Sequence, residues 1–349
     1  RNLGKNFDNC DFEIIDSITR SNSAVVHDIV FIDECSNIDN RTMELLLGKI
    51  SNDALIVMSG DVYQIESIDF GNWFFYAKDI VKAKGGSIEL CSTWRTKKEE
   101  LKGLWKAVRE KSTIITEMLS MDGPFSENLG ENIFHLDEDE VVLCLNYDGK
   151  FGLNNMNQYF QNANTNSKAF SWEEWSYKIG DRIIFINTRR SALLYNNLRG
   201  IITNIAYAEK SIIFEIEVKA FFTESQCEAE SFDYVGTTEK GTIIRIEVIS
   251  WDDELSEEEK VKTVIPFQLA YAISIHKAQG LEYKSVKIVI PSSNAEKITH
   301  SIFYTAITRA KEKLKIFWSA ETMKSIIENF TTDEIEQRTL PIIRKELAQ

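Results

Sequence analysis

The chain of 349 residues is 43% apolar and 27% charged, enough apolar material for at least one sizeable core and a length that suits two or three domains. Its formal net charge of −14 excludes a surface that grips nucleic acid everywhere, because non-specific binding rests on phosphate neutralisation by Lys and Arg, although a local basic track stays compatible with it. No run approaches the roughly 18 consecutive apolar residues of a membrane span, and the opening Arg1-Asn2-Leu3-Gly4-Lys5 carries no apolar signal region, so a cytoplasmic protein with no membrane partner is expected.

Residues 25–33 are a short apolar, β-branched run of the kind that forms a strand buried on both faces. Residues 39–49 follow with Met43, Leu46 and Leu47 at helical spacing, and residues 54–59 are a second buried run that ends in Gly60-Asp61. Strand, helix, strand with polar residues at the strand ends is the βαβ pattern of a parallel sheet covered by helices, whose ligands sit beyond the carboxyl ends of the strands. The spacing then predicts a helix over 101–119, a loop at 121–130 marked by Gly123-Pro124, a buried strand at 141–145 and a helix at 153–161. Between residues 177 and 264 the texture turns β-rich, with runs at 180–187, 200–207, 211–221 and 242–251 separated by Asn, Gly and charged turns. Buried runs return at 269–275, 286–290 and 314–318, with a helix expected at 302–311.

The organisation expected is an α/β chain: one domain in residues 1–95, a second in residues 96–177 and 265–349, and a small antiparallel β-barrel, residues 178–264, inserted in the second. The acidic runs at 137–140 and 252–259 carry part of the negative excess, either as solvated loops and helix starts or as partner-binding surfaces. The five cysteines (Cys10, Cys35, Cys91, Cys144, Cys227) lack any Cys-x-x-Cys or His partner at metal spacing, which speaks for reduced, mostly buried thiols over a disulfide frame or a zinc site.

Two adjacent carboxylates end the first strand. In Ile29-Val30-Phe31-Ile32-Asp33-Glu34, a Walker B pattern, Asp33 would hold Mg2+ through water, while Glu34 would orient and deprotonate the water that attacks the γ-phosphate of ATP. A buried strand ending in Asp-Glu also arises by chance, so this run alone leaves a structural role open. The next strand ends in Ser59-Gly60-Asp61-Val62-Tyr63-Gln64-Ile65-Glu66-Ser67, and Leu90-Cys91-Ser92-Thr93-Trp94-Arg95-Thr96 comes after it.

These two segments resemble motifs III and IV of the superfamily 1 helicases. More specific strings stand near the C-terminus. His276-Lys277-Ala278-Gln279-Gly280-Leu281-Glu282-Tyr283 resembles motif V, and Tyr304-Thr305-Ala306-Ile307-Thr308-Arg309-Ala310 resembles motif VI. The resemblance covers residues 11–318. Asp33-Glu34-Cys35-Ser36, the segment Gly152-Leu153-Asn154-Asn155-Met156-Asn157, and Gly180-Asp181-Arg182-Ile183 followed by Asn196-Asn197-Leu198-Arg199-Gly200 are similar to the RecD-like branch of that superfamily.

The resemblance implies two RecA-like P-loop NTPase lobes, the first incomplete, with an SH3-like β-barrel inserted in the second. It implies ATP and Mg2+ as ligands, single-stranded DNA as partner, and a motor whose lobes close on ATP and open after hydrolysis, moving 5′ to 3′. Carried over residue by residue, Gln64 contacts the γ-phosphate. Arg95 lies at the nucleotide cleft, where a guanidinium stays charged and binds phosphate oxygens in a bidentate way. Arg309 is the arginine finger that stabilises charge on the γ-phosphate across the interdomain cleft. Gly280 and Glu282 meet the nucleotide, Glu282 at its ribose, while His276, Lys277, Gln279 and Thr305 link the cleft to the single strand. Phe70, Trp73 and Trp172 are rings that either stack on bases or fill a core.

One departure stands out. The chain contains no Gly-x-x-x-x-Gly-Lys-Ser/Thr, and Gly4-Lys5, Gly48-Lys49 and Gly149-Lys150 lack that context, so the loop of N–H groups that cradles a triphosphate is missing. That loop normally lies well upstream of Walker B, and 32 residues precede Asp33, so the expectation is a C-terminal piece of a longer DNA helicase, inactive by itself. A natural protein without the loop, a non-catalytic subunit that binds nucleic acid or a partner protein, and an RNA helicase of the same superfamily stay open as other readings.

Overall fold

The computed structural model describes residues 10–67, 69, 71–120, 123–165, 168–186, 191, 193–228, 230, 232–330 and 334–346. They fall into two compact units, one within residues 1–93, 299–305 and 330–349, the other within residues 94–298 and 306–329.

The first unit opens with helix α1 (Ile15–Arg20), strand β1 (Ile29–Ile32), a single 3-10 turn (Cys35–Asn37), helix α2 (Asn40–Leu47), strand β2 (Leu55–Met58) and helix α3 (Trp73–Ala83). β1 and β2 pair in parallel, Ile29 opposite Leu55 and Ile32 opposite Met58, so their carboxyl ends lie side by side. The helix between them starts where Asp39 caps it, one carboxylate oxygen accepting the Thr42 N–H at 2.9 Å and the other the Thr42 hydroxyl at 2.6 Å. Side chains alternate across the two strands. One face joins Ile32 to Cys35, Ile38, Met43, Leu46 and Ile50 in a core, whereas the other leaves Ile29, Phe31 and Leu55 exposed at 64%, 59% and 60%.

The second unit begins with α4 (Glu99–Arg109), whose buried stripe is Leu101, Leu104, Trp105, Ala107 and Val108, and continues through α5 (Ile115–Met118) and β3 (Ser126–Glu127). Next come β4 (Glu140–Cys144), α6 (Leu153–Ala163) and the hairpin of β5 (Ala169–Trp172) and β6 (Trp175–Lys178). The β-rich stretch supplies β7 (Arg182–Phe185), β8 (Arg199–Tyr207), β9 (Ser211–Val218), α7 (Glu224–Cys227), β10 (Asp233–Thr237), β11 (Thr242–Ile249), α8 (Glu257–Lys262) and β12 (Phe267–Leu269). The chain ends with β13 (Ala272–Ser274), β14 (Tyr283–Val289), α9 (His300–Ile307, of which residues 300–305 belong to the first unit), β15 (Ala310–Phe317), α10 (Ala320–Asn329) and, in the first unit, α11 (Glu334–Glu346).

Two sheets organise this unit. β13, β4, β14, β15 and β3 form a five-stranded sheet in that order, every neighbouring pair parallel, with β4 buried along its whole length as a central strand covered on both faces must be. β10, β11, β9, β8, β7 and β12 form a six-stranded antiparallel sheet over its own core, which includes Ile202, Phe214, Ile216, Ile244 and Phe267. The run at 269–275, expected as one strand, is divided between the two sheets. Leu269 ends β12 and Ala272 begins β13, with Ala270 donating its N–H to the Arg182 carbonyl at 2.8 Å in the turn between. The helix expected at 302–311 stops at Ile307, because Ala310 already pairs with Tyr283 in the parallel sheet. Among the described residues, no helix is long and apolar enough to cross a membrane.

The buried Asp181 ties elements of this unit together. Its carboxylate accepts from Gln161 Nε2 at 2.6 Å, Asn164 Nδ2 at 3.0 Å, the Lys178 N–H at 2.8 Å and the Tyr271 hydroxyl at 2.9 Å, the dense set of donors that a fully buried charge requires.

Candidate functional site

β1 ends in Asp33 and Glu34, both exposed. Glu34 has φ 51° and ψ 41°, a left-handed conformation that costs a residue with a Cβ on the order of 1–2 kcal/mol, and the 3-10 turn starts directly after it. Backbone bonds carry the β1–β2 ladder past the strand ends. Ser59 N donates to the Ile32 carbonyl at 2.9 Å, and Cys35 N donates to the Ser59 carbonyl at 2.8 Å. The Ser59 hydroxyl donates to Asp33 Oδ1. Burial pushes the Cys35 thiol up to about 12, which removes it as a nucleophile. At Gly60 an added Cβ would come within 2.7 Å of the Phe74 ring and 3.1 Å of Ser36 N, so the chain can pass there only without a side chain.

Beyond Gly60 the loop folds on Asp61, whose carboxylate accepts the Tyr63 N–H at 3.0 Å and the Gln64 side-chain amide at 3.2 Å. The Ile65 N–H donates to Thr305 Oγ1 at 2.9 Å, and Thr305 is fully buried there. Trp73 donates its indole N–H to the Ile38 carbonyl at 2.7 Å and packs against the core beside Phe74, so of the two roles open for it, core packing describes its surroundings. Trp172 packs against the core of the antiparallel sheet. Phe70 lies outside the described residues.

In the second unit Arg95, Glu282 and Arg309, from motifs IV, V and VI, gather at the amino ends of β14 and β15. Arg95 Nε lies 3.3 Å from Glu282 Oε2, and its Nη1 donates to the Thr308 carbonyl at 3.0 Å. Lys311 Nζ sits 2.7 Å from the other Glu282 oxygen. Partial burial alone would raise the Glu282 carboxyl, but the hydrogen bond and charge of Lys311, with the Arg95 guanidinium behind them, outweigh it and hold the group below its ordinary value. Arg309 is 1% exposed, its guanidinium donating to the Leu281 carbonyl at 3.2 Å and to Thr308 Oγ1 at 3.1 Å, while its own carbonyl accepts the Tyr283 N–H at 2.9 Å.

The turn from Ile275 to Glu282 connects the carboxyl end of β13 with the amino end of β14, so motif V spans the length of the parallel sheet. His276 is exposed at the first of these ends, and Gln279 is half-buried. Lys277 donates to Gln268 Oε1 at 2.8 Å, and burial lowers its ammonium pKa. Gly280 has φ +70°, which explains why a glycine precedes Leu281 in this turn.

The structure therefore brings Asp33, Glu34, Asp61 and Gln64 to neighbouring strand ends of the first unit, and Arg95, Glu282 and Arg309 to one corner of the second. Sequence reasoning assigned no role to Ser59, Gln268, Thr308 or Lys311. Each stands within or beside a motif, but its partner is set by strand pairing or by a turn, neither of which the local sequence displays. Asp33 suits a Mg2+ ion. Such an ion is held through one or two carboxylates together with substrate phosphates, and among the described residues Asp33 Oδ2 has no hydrogen-bond or ion-pair partner. No group of three or more His, Cys, Asp or Glu among those residues could cage a metal by itself.

Residues 8–126 match the family model of an AAA domain, and residues 269–316 match that of the UvrD-like helicase C-terminal domain. The RecBCD enzyme subunit RecD of Buchnera aphidicola subsp. Acyrthosiphon pisum is 25% identical over 358 residues, covering 83% of this chain and 53% of that protein. The ATP-dependent DNA helicase Pif1 of Campylobacter jejuni is 25% identical over 337 residues, covering 83% of this chain and 69% of the relative. Among solved structures, Bacteroides Pif1 bound to single-stranded DNA shares the fold at a TM-score of 0.50 and 13% identity, over 91% of this chain and 76% of that one. The chain spans about half the length of the RecD relative. With an AAA domain matched in its first third, a UvrD-like helicase C-terminal domain matched near its end, and RecD and Pif1 among its relatives, the chain is similar to RecD and Pif1 helicases over most of its length.

Proposed function

We propose that the protein is an ATP-dependent DNA helicase or translocase that couples hydrolysis to movement along single-stranded DNA, 5′ to 3′, in the cytoplasm. The observation that carries this reading is the pairing of parallel strand ends in the first unit: Asp33 and Glu34 follow β1, and Ser59 to Gln64 follow its neighbour β2. Residues 1–95 would form the first RecA-like domain, 96–177 with 265–349 the second, and 178–264 an SH3-like insert in it.

In this mechanism Asp33 would hold Mg2+, which would supply positive charge against the phosphates of ATP. Glu34 orients the attacking water and accepts its proton. Gln64 contacts the γ-phosphate. Arg95 and Arg309 offset the negative charge that develops there as the bond to the leaving group lengthens. Glu282 receives the ribose, next to Gly280. His276, Lys277 and Gln279 would face the single strand, with Phe70 stacking on its bases, whereas the buried Thr305 and the core-packed Trp73 take no direct part.

Turnover by full-length protein tests the reading. Glu34→Gln should keep ATP binding and abolish hydrolysis stimulated by single-stranded DNA; normal hydrolysis by that variant removes the proposal. The 349 residues alone should hydrolyse ATP weakly or not at all, since they contain no Gly-x-x-x-x-Gly-Lys-Ser/Thr. That same feature favours a second reading, a helicase-like subunit that binds nucleic acid or protein without hydrolysis. Full-length protein that binds no ATP would establish it.

A further inference from the structure

We infer that Ser59 is a positioning residue for the Walker B carboxylate, holding Asp33 in the orientation that receives Mg2+. This rests on the nucleotide-site reading above. Ser59 is fastened opposite Asp33 by its backbone on both sides: its N–H donates to the carbonyl of Ile32, and its carbonyl accepts from the N–H of Cys35. With the main chain set in this way, the hydroxyl reaches Asp33 Oδ1 and donates to it. A carboxylate at an exposed strand end would otherwise rotate freely about its terminal bond. One neutral donor on one oxygen removes that freedom without adding charge that would compete with a cation, and among the described residues it leaves Oδ2 open to a metal. Groups that orient a metal's carboxylate in this way act on affinity through the ligand they hold. Alanine would keep the strand pairing, which is carried by backbone groups, and lose only the donor. Threonine would keep both.

The test measures binding of a fluorescent ATP analogue by full-length protein, in Mg2+ and in EDTA, for wild type, Ser59→Ala, Ser59→Thr and Asp33→Asn. The difference between the two conditions isolates the metal's contribution from the nucleotide's, and the EDTA value reports an intact fold. Ser59→Ala should lose roughly tenfold of the Mg2+-dependent affinity, the scale on which such orienting partners act, with Ser59→Thr close to wild type and all EDTA affinities alike. Retention of the full Mg2+ effect by Ser59→Ala, with its loss in Asp33→Asn, overturns the role of Ser59 and leaves the Walker B assignment standing. Retention in Asp33→Asn as well overturns both.

Discussion

Arg95 and Glu282, separated by 187 positions in the chain, form an ion pair with 3.3 Å between Nε and Oε2. Each was marked from its own motif as a residue of the nucleotide site. In the structure they touch, and Lys311 completes the group at 2.7 Å from the second carboxylate oxygen. An acidic side chain between two cations ties both long side chains to one place by charge and hydrogen bonds. It also balances charge that a phosphate would otherwise attract.

The pH dependence of this group follows in sign from the depressed Glu282 pKa. Its ordinary value is 4.5, and a carboxyl whose folded pKa lies lower contributes stability that is present above that value and lost as pH falls through the folded pKa. Thermal melts of wild type and Glu282→Gln should therefore differ by a constant small amount near neutral pH and converge below 4.5. Glu282 is more than a third exposed, so the difference should stay within about 1 kcal/mol. A gap that widens on acidification would contradict the pairing.

Arg309 offers a kinetic prediction. Arginine fingers contribute on the order of 10³-fold or more to turnover, and Arg309→Ala should lower DNA-stimulated hydrolysis by that much. Because Arg309 is buried and bonded to Leu281 and Thr308, the alanine variant will also melt earlier, so Arg309→Lys is the companion measurement. Lysine keeps the charge and loses the planar fork, and it should recover stability without recovering rate. A fall of less than tenfold in the alanine variant would remove Arg309 from the chemistry.

Glu34 should show function opposed to stability. Its left-handed backbone is unfavourable for glutamate, whereas asparagine tolerates that conformation. Glu34→Asn is expected to raise the unfolding free energy by up to about 1 kcal/mol in chemical denaturation while ending hydrolysis. A destabilised Glu34→Asn would mean that the glutamate side chain, through its own contacts, outweighs the strain.

Much of this molecule was legible in residue order. The order strand, helix, strand at 25–59 could be read from two short apolar runs with polar ends, but the burial on both faces expected of them is not found, since Ile29, Phe31 and Leu55 are exposed. Motifs V and VI could be recognised because their strings resemble those of superfamily 1 helicases, and residues 269–316 match the UvrD-like helicase C-terminal domain. Three features escaped. The run at 101–119, expected as one helix, is two, with α4 ending at Arg109 and α5 beginning at Ile115. The run at 269–275 has one continuous apolar texture, yet it serves an antiparallel sheet through Leu269 and a parallel one through Ala272, and burial looks the same in both. The helix at 302–311 looked longer than it is because residues 308–311 can follow a helical or an extended pattern, and pairing of Ala310 with Tyr283 decides between them.

The amino-acid order determined which residues are chemically equipped, Asp33, Glu34, Gln64, Arg95, Glu282 and Arg309 among them, because charge and hydrogen-bonding capacity belong to the side chain itself. It determined the alternation of apolar and polar segments as well, and with it the α/β class. Only the folded chain decided who meets whom: Ser59 with Asp33, Ile65 with Thr305, Arg95 with Glu282, Lys277 with Gln268. These partners lie between 9 and 240 positions apart. Their approach is set by strand register and turn geometry, which are properties of the whole packed core and of no single stretch of sequence.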